Sequence, residues 1–302
     1  MLRLGVIEKD RIPATITPPG VAIALTLLDE FSVPMTDNDE ARLAAIYEMI
    51  QQPGRYTSSM KTFPRRFSDL DEAIADAIEQ VFPGGRVHVH DMAASNAITS
   101  RELFERLTGR FGDRLSLRAT DYFDALYVVA IPKTEWKVIL DAAGEPVQFI
   151  RRRLVLQRYE PRRYVINRMI RTIVARTLVR QAPANLPTAR RISLFHPRCV
   201  AEARTSERFS LAREDAFNPE TSCDVLRMMN LSHRLKLDPA KPWFAAASRM
   251  VSDGGLFVIG DMPSKFSKIA ATIFRKQGSR FVPIHDCGGG YEHREAVCQL
   301  LA

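Results

Sequence analysis

Cysteine is scarce and scattered: Cys199, Cys223, Cys287 and Cys298 stand far apart, with no C-x-x-C pair. Such spacing excludes a zinc ribbon and a disulfide framework, and it fits a reducing compartment. Long apolar runs are missing. The one near the N-terminus, residues 21–28, is too short to span a bilayer and runs straight into Asp29 and Glu30. No small-residue cleavage site follows it, so the sequence predicts no secretory signal and a cytoplasmic protein. Compositional bias is absent too. Apolar residues make up 46 % and charged residues 26 %, which excludes a disordered or fibrous chain and is enough for a full core. Lysine is rare among the cations, at 9 of 43 basic residues.

Arginine, by contrast, is abundant, and it brings the formal net charge to +8. A basic balance permits binding to nucleic acid, anionic lipid or an acidic protein. The chain's 302 residues allow one large domain with an insertion, or two modest domains. No internal repeat is present.

Residues 1–84 read as an N-terminal helical lead-in. Pro13, Pro18 and Pro19 break regular structure early. Leu43, Ile46 and Ile50 then recur at helical spacing, as do Leu70, Ile74, Ile78 and Val81, before Pro83-Gly84-Gly85 stops the second helix. Val87-His88-Val89-His90-Asp91 alternates like a strand. Thr99-x-x-Glu102 predicts a capping box that opens the next helix. Residues 115–119 predict another strand, ending at Thr120-Asp121. Strand, turn, helix and strand make a βαβ unit, which implies a parallel sheet.

Residues 122–185 predict an insertion in the domain at 85–302. Residues 136–141 and 147–150 form a hairpin about Ala143-Gly144-Glu145-Pro146. Beyond it, residues 151–183 hold ten arginines, and residues 164–174 are amphipathic. There Val165, Ile166, Met169, Ile170, Ile173 and Val174 share one half of the helix, with Arg168 and Arg171 opposite. This basic stretch has three readings: a solvated face whose apolar half packs on the domain, a contact with an anionic membrane or a lipid-linked substrate, or a phosphate contact. Among the arginines of 151–191 the aromatics are Tyr159 and Tyr164 alone, which argues against nucleic acid as the partner. The packed helix is the default reading, and a location peripheral to a membrane stays open beside it. The oligomeric state is not legible. Alternation resumes with strands at 192–195, 209–213, 224–229 and 256–261.

In a doubly wound sheet, ligands bind beyond the carboxyl ends of the strands. Those ends here carry Asp91, Asp121, Asp215 and Asn230. Asp91-Met92-Ala93-Ala94-Ser95-Asn96-Ala97 occupies the place of an acidic, glycine-rich loop. Glu214-Asp215-Ala216-Phe217, residues 224–230 and Ser252-Asp253-Gly254-Gly255-Leu256-Phe257-Val258-Ile259 follow in order. On these segments the chain resembles the class I S-adenosylmethionine-dependent methyltransferases, over residues 85–300 less the inserted part. The resemblance implies an α/β, Rossmann-like, doubly wound and mostly parallel sheet, here carrying the inserted β-hairpin and basic helix. It implies S-adenosyl-L-methionine as cofactor and a small-molecule or lipid-like methyl acceptor. Asp91, Ala93, Ser95 and Ala97 would then line the cofactor loop and Asp121 would hold the ribose. Asp215, Ala216 and Phe217 would face the adenine, and Asn230 would lie near the methyl donor.

The loop departs from the family pattern at one point of chemistry. Glycine is usual where this chain has Ala93, Ser95 and Ala97, and alanine in left-handed geometry costs about 1–2 kcal/mol. Two alternatives therefore stay open. One is a catalytically silent binding protein of the same fold. The other is a metal-dependent hydrolase using His88 and His90, whose side chains share one face of a strand. His233, three residues beyond Asn230, is a candidate general base. Gly288-Gly289-Gly290, between His285-Asp286-Cys287 and Tyr291-Glu292-His293, reads as a loop joining two late strands rather than as a phosphate cradle.

Overall fold

The computed structural model describes residues 4–13, 22–50, 62–158, 164–178, 189–231, 237–262 and 267–299. Its first elements are α1 (Asp37–Met49), α2 (Ser68–Val81), β1 (Val87–Met92), α3 (Ile98–Phe111), β2 (Leu115–Asp121), β3 (Ala125–Ala130) and β4 (Lys137–Leu140). There follow β5 (Pro146–Arg151), β6 (Leu154–Gln157), α4 (Val165–Leu178), β7 (Arg190–Ser193), α5 (Pro197–Thr205) and β8 (Phe209–Arg213). The last are β9 (Cys223–Met229), α6 (Leu237–Met250), β10 (Val251–Asp261), β11 (Ala270–Gln277), β12 (Arg280–Cys287) and α7 (Arg294–Gln299). The chain divides into two compact units, residues 1–61 with 125–197, and residues 62–124 with 198–302. No helix among the described residues is long and apolar enough to cross a membrane.

The second unit holds a seven-stranded sheet in the order β12-β11-β10-β9-β1-β2-β8. From β8 to β10 every pairing is parallel, and β11 and β12 extend the sheet by antiparallel pairing. This is a Rossmann-like, doubly wound architecture. Strand order reverses between β1 and β9, which makes their carboxyl ends the topological switch point. The sequence dictates this core directly. Strands covered on both faces carry near-continuous apolar runs, and Val225, Leu226, Met228 and Met229 of β9 are all buried. On α2, Leu70, Ile74, Ala77 and Ile78 form the buried stripe. Gly85, at φ +80°, then turns the chain into β1.

The first unit holds a five-stranded antiparallel sheet in the order β6-β5-β4-β3-β7. The hairpin predicted at 136–150 is present as β4 and β5, with Gly144 at φ +79° in its turn. It belongs to this larger sheet rather than standing alone. Residues 192–195, read as a strand of the main alternation, pair instead as β7 with β3 in this second sheet. Residues of the lead-in join the same unit. Leu25 N–H donates to Gln148 Oε1 at 2.9 Å, and Gln148 Nε2 donates to the Ile23 carbonyl at 2.8 Å. Two other readings change. Gly288–Gly290 lie between β12 and α7, not between strands. A Cβ on Gly288 would stand 1.7 Å from the Ile269 carbonyl oxygen, so close packing requires that glycine. The predicted capping box is absent: α3 begins at Ile98 without a side-chain cap, and the Glu102 carboxylate accepts from the Arg65 N–H at 2.8 Å.

Gln148 is fully buried and answers two backbone groups. Gln148→Leu leaves both without partners, at about 1–3 kcal/mol each. The expected result is a urea midpoint lowered by the equivalent of about 2–6 kcal/mol, with no change in slope.

Candidate site at the switch point

The chain leaving β1 makes three left-handed residues in five: Ala93 at φ +57°, Ser95 at +58° and Ala97 at +62°. These are the positions at which the resemblance calls for glycine. Side chains of one or two heavy atoms follow the path a glycine loop would take, at a cost of about 1–2 kcal/mol each. Hydrogen bonds hold the path. Ala94 N–H donates to the Thr120 carbonyl at 2.9 Å, and Ala97 N–H to the Ala94 carbonyl at 2.9 Å. Ser95 N–H donates to Asp121 Oδ2 at 2.7 Å, and Ile98 N–H to Asn96 Oδ1 at 3.1 Å. Ser95 Oγ is shut away from solvent and has no hydrogen-bond partner among the described residues.

The predicted carboxylates fall into three situations. Asp91 is committed inward. Arg227 Nε and Nη2 grip its two oxygens at 2.9 and 2.6 Å, and Ser100 Oγ donates to it as well. Arg227 Nη1 reaches Asp71 of α2 at 2.7 Å, so one fully buried guanidinium serves two carboxylates. Asp121 lies under the loop, accepting from Ser95 N–H and, at 2.9 Å, from Phe123 N–H. Asp215 is exposed, and its carboxylate accepts from Phe217 N–H at 3.0 Å within its own turn. Ala216 is half-buried and Phe217 exposed beside it. Asn230 follows β9 at φ +60°, with Oδ1 accepting from Met262 N–H at 2.7 Å and from Arg66 Nη2 at 3.1 Å. His233 lies outside the described residues.

Thus the structure brings together Asp91, the loop and Asp121, while Asp215 turns on itself. Sequence reasoning missed Arg227, Asp71, Glu214 and Arg66. Arg227 carried a signal, since a charge inside an apolar parallel strand demands an anion beside it. Glu214 is the buried acid after β8, not Asp215; it accepts from Glu220 N–H at 2.9 Å. His90 is fully buried, with Nε2 hydrogen-bonded to Thr120 Oγ1 at 2.9 Å, and Glu214 lies 3.5 Å away. Burial pushes this imidazole down to about 4, against the pull of Glu214. Nδ1 of His88 bonds Ser116 Oγ at 2.9 Å. Each imidazole has one ring nitrogen on a hydroxyl of β2, and no group of three metal-binding side chains occurs among the described residues.

No family model and no curated protein matches the chain. Among solved structures it is similar to the sugar N-methyltransferase KedS8 from Streptoalloteichus sp. ATCC 53650. That match has 11 % identity, covers 83 % of this chain and 87 % of that one, and has a TM-score of 0.36. The amino pentose methyltransferase CalS10 from Micromonospora echinaspora, solved with S-adenosylmethionine bound, matches at 12 % identity, 78 % and 82 % coverage and TM-score 0.34. A Methanococcus maripaludis protein described as an S-adenosyl-L-methionine-dependent methyltransferase matches at 12 % identity and TM-score 0.31. The match covers 65 % of this chain, which spans 57 % of that protein's length. All three are described as methyltransferases, the class the sequence resembles. At these identities and TM-scores they bring no substrate, cofactor or residue role to this chain.

Burial raises the Asp71 carboxyl to about 7 from its ordinary 3.8, against the opposing pull of Arg227. The folded protein therefore holds a proton that the unfolded chain releases. The stabilisation is full below 3.8 and is lost as pH rises through about 7. Asp71→Asn is expected to flatten that decline, so the stability difference between variant and parent shifts in the variant's favour between pH 4 and 7, followed by urea denaturation. The loop offers a second check. Ala97→Gly relieves left-handed strain but adds freedom to the unfolded chain, for a net gain of up to about 1 kcal/mol in unfolding free energy.

Proposed function

We propose that the carboxyl ends of β1, β2 and β9 bind S-adenosyl-L-methionine and that the protein transfers its methyl group to a small-molecule or lipid-like acceptor. One observation carries this reading: the left-handed backbone at Ala93, Ser95 and Ala97, kept at the switch point at a cost in strain. Strain of this kind persists where the surroundings over-determine it, and it clusters at ligand clamps. The loop also holds a buried side-chain oxygen, Ser95 Oγ, with no partner among the described residues, which a ligand could meet. Asp121 would hold the ribose, because each of its oxygens accepts one N–H and keeps a second lone pair. The bound cofactor would supply an electrophilic methyl group. The protein's part is then to orient the acceptor in line with it, and no strong base is needed for an already nucleophilic atom. The Asn230 amide, fixed by Met262 and Arg66, would border that end of the site.

A second reading, a binding protein of the same fold without turnover, is favoured by Asp91. Its carboxylate is spent on Arg227 and Ser100 and is not free for a ligand. The hydrolase alternative is disfavoured: no third metal-binding side chain joins His88 and His90 among the described residues.

Isothermal titration with S-adenosylmethionine and S-adenosylhomocysteine tests the proposal. Saturable binding of both is expected. No heat with a folded sample sinks it, and binding with no methyl transfer to any acceptor selects the silent protein. Burial raises the Asp121 carboxyl to about 6, against the N–H groups of Phe123 and Ser95. Only the ionised form can receive two ribose hydroxyls, so affinity should climb as pH rises through about 6. Asp121→Asn should lose that dependence and about 1.5–3 kcal/mol of binding energy.

A further inference from the structure

α4 is apolar on two sides. Inward, Val174 and Asn167 are buried, and Ile170 packs with Val174 against Val129, Val138, Leu140, Phe149 and Leu156 of the first unit. Outward, Val165 is 63 % exposed, Met169 58 %, Ile173 57 % and Ile166 42 %. At 100° per residue these four fall within an arc of about 100°. The reading in which the apolar half of this helix packs on the domain is therefore corrected: a narrow strip packs, and a second apolar strip faces solvent. The helix sequence VINRMIRTIVARTL holds three arginines, no acidic residue and no aromatic. Arg168 and Arg176 are exposed along the outward strip.

We propose that this outward face of α4 docks on the surface of an anionic lipid bilayer. It goes beyond the methyl-transfer reading and does not depend on it. The argument is charge complementarity around an apolar centre. Burying Val165, Ile166, Met169 and Ile173 among acyl chains removes apolar surface from water, while the arginine heads stay at the level of the lipid phosphates. At 14 residues the helix is too short to span, so it lies in the interface plane. The local excess charge is one-sided as well: residues 151–183 hold ten arginines and a single acid, Glu160. A nucleic acid would use the arginines but not four exposed aliphatic side chains, and α4 offers no ring for a base to stack on.

Flotation of the full chain with phosphatidylcholine–phosphatidylserine vesicles, at about 3:1 and low ionic strength, tests this. The chain is expected to float with these vesicles, to release them as salt rises, and to ignore pure phosphatidylcholine. Met169→Ser with Ile173→Ser, and separately Val165→Ser with Ile166→Ser, should each lower binding by about tenfold or more. Arg168→Glu with Arg176→Glu should do the same, while Arg168→Lys with Arg176→Lys binds like the parent. Thermal transitions matching the parent's establish that each variant is folded. Four outcomes overturn the proposal. Serine variants that bind undiminished reduce it to diffuse attraction by the net charge of +8. A dimer in solution that dissociates on the serine substitutions assigns the face to a second copy. Failure to float at low salt, or displacement of the vesicles by duplex nucleic acid with the arginines alone mattering, removes the lipid.

Discussion

One buried cation organises the centre of the second unit. Arg227 sits in β9 with no exposed surface and reaches Asp91 at the end of β1 and Asp71 on α2. Withdrawing a guanidinium from water costs several kcal/mol, and only well-placed carboxylates repay it. The pairing therefore has to persist, and everything attached to it is fixed in turn. β9 is held to β1 beyond its backbone ladder, α2 is held over the sheet, and Ser100 ties the first turn of α3 to the same carboxylate. The loop between β1 and α3 thus starts and ends on groups that a single ion pair positions. Removing one member of such a buried network leaves an unpaired charge, at about 3–5 kcal/mol.

That anchoring explains how the loop can be strained. Three non-glycine residues in left-handed geometry would relax if either end were free. Instead the Thr120 carbonyl and the Asp121 carboxylate, both at the end of β2, take the N–H groups of Ala94 and Ser95. The acid at the end of β1 is spent on structure, and the acid at the end of β2 is shared between structure and the proposed ligand. The two strand ends that looked equivalent in sequence are divided between the two roles. Burial also raises the Asp121 carboxyl to about 6.

The first unit has a different logic. Its sheet is antiparallel, β3 to β6 follow one another through short connections, and part of its core is closed by residues of the lead-in through Gln148. A buried amide that satisfies two backbone groups is worth keeping because its loss leaves both unpaired. α4 covers this unit with one strip of side chains and leaves the other in solvent. A helix that merely closed a core would have no reason to carry four large aliphatic residues on its far side.

The sequence by itself determined the elements whose cause is local. Helical spacing marked the stripe of α2 and the amphipathic run of α4, alternation and apolar runs marked β1 and β9, and Gly144 marked the β4–β5 turn. The order of strands and helices pointed to a Rossmann-like sheet, and small residues after Asp91 marked the loop. What the tertiary structure alone decided is which partner each group meets. Periodicity states that α4 has an apolar half, but not which strip finds a core. An acid at a strand end reads the same whether it faces Arg227, a loop N–H or its own turn, so Asp91, Asp121 and Asp215 could not be told apart. Thr99 and Glu102 have the spacing of a capping box, yet the left-handed Ala97 and the Arg65 N–H leave them no occasion to form one. Strand 190–193 has the same pattern in either sheet, and only the long-range pairing with β3 placed it. Spacing along the chain fixes faces. Burial and charge pairing are set by residues a hundred or more positions away, as Asp91 and Arg227 are, and only the folded chain brings them within 3 Å.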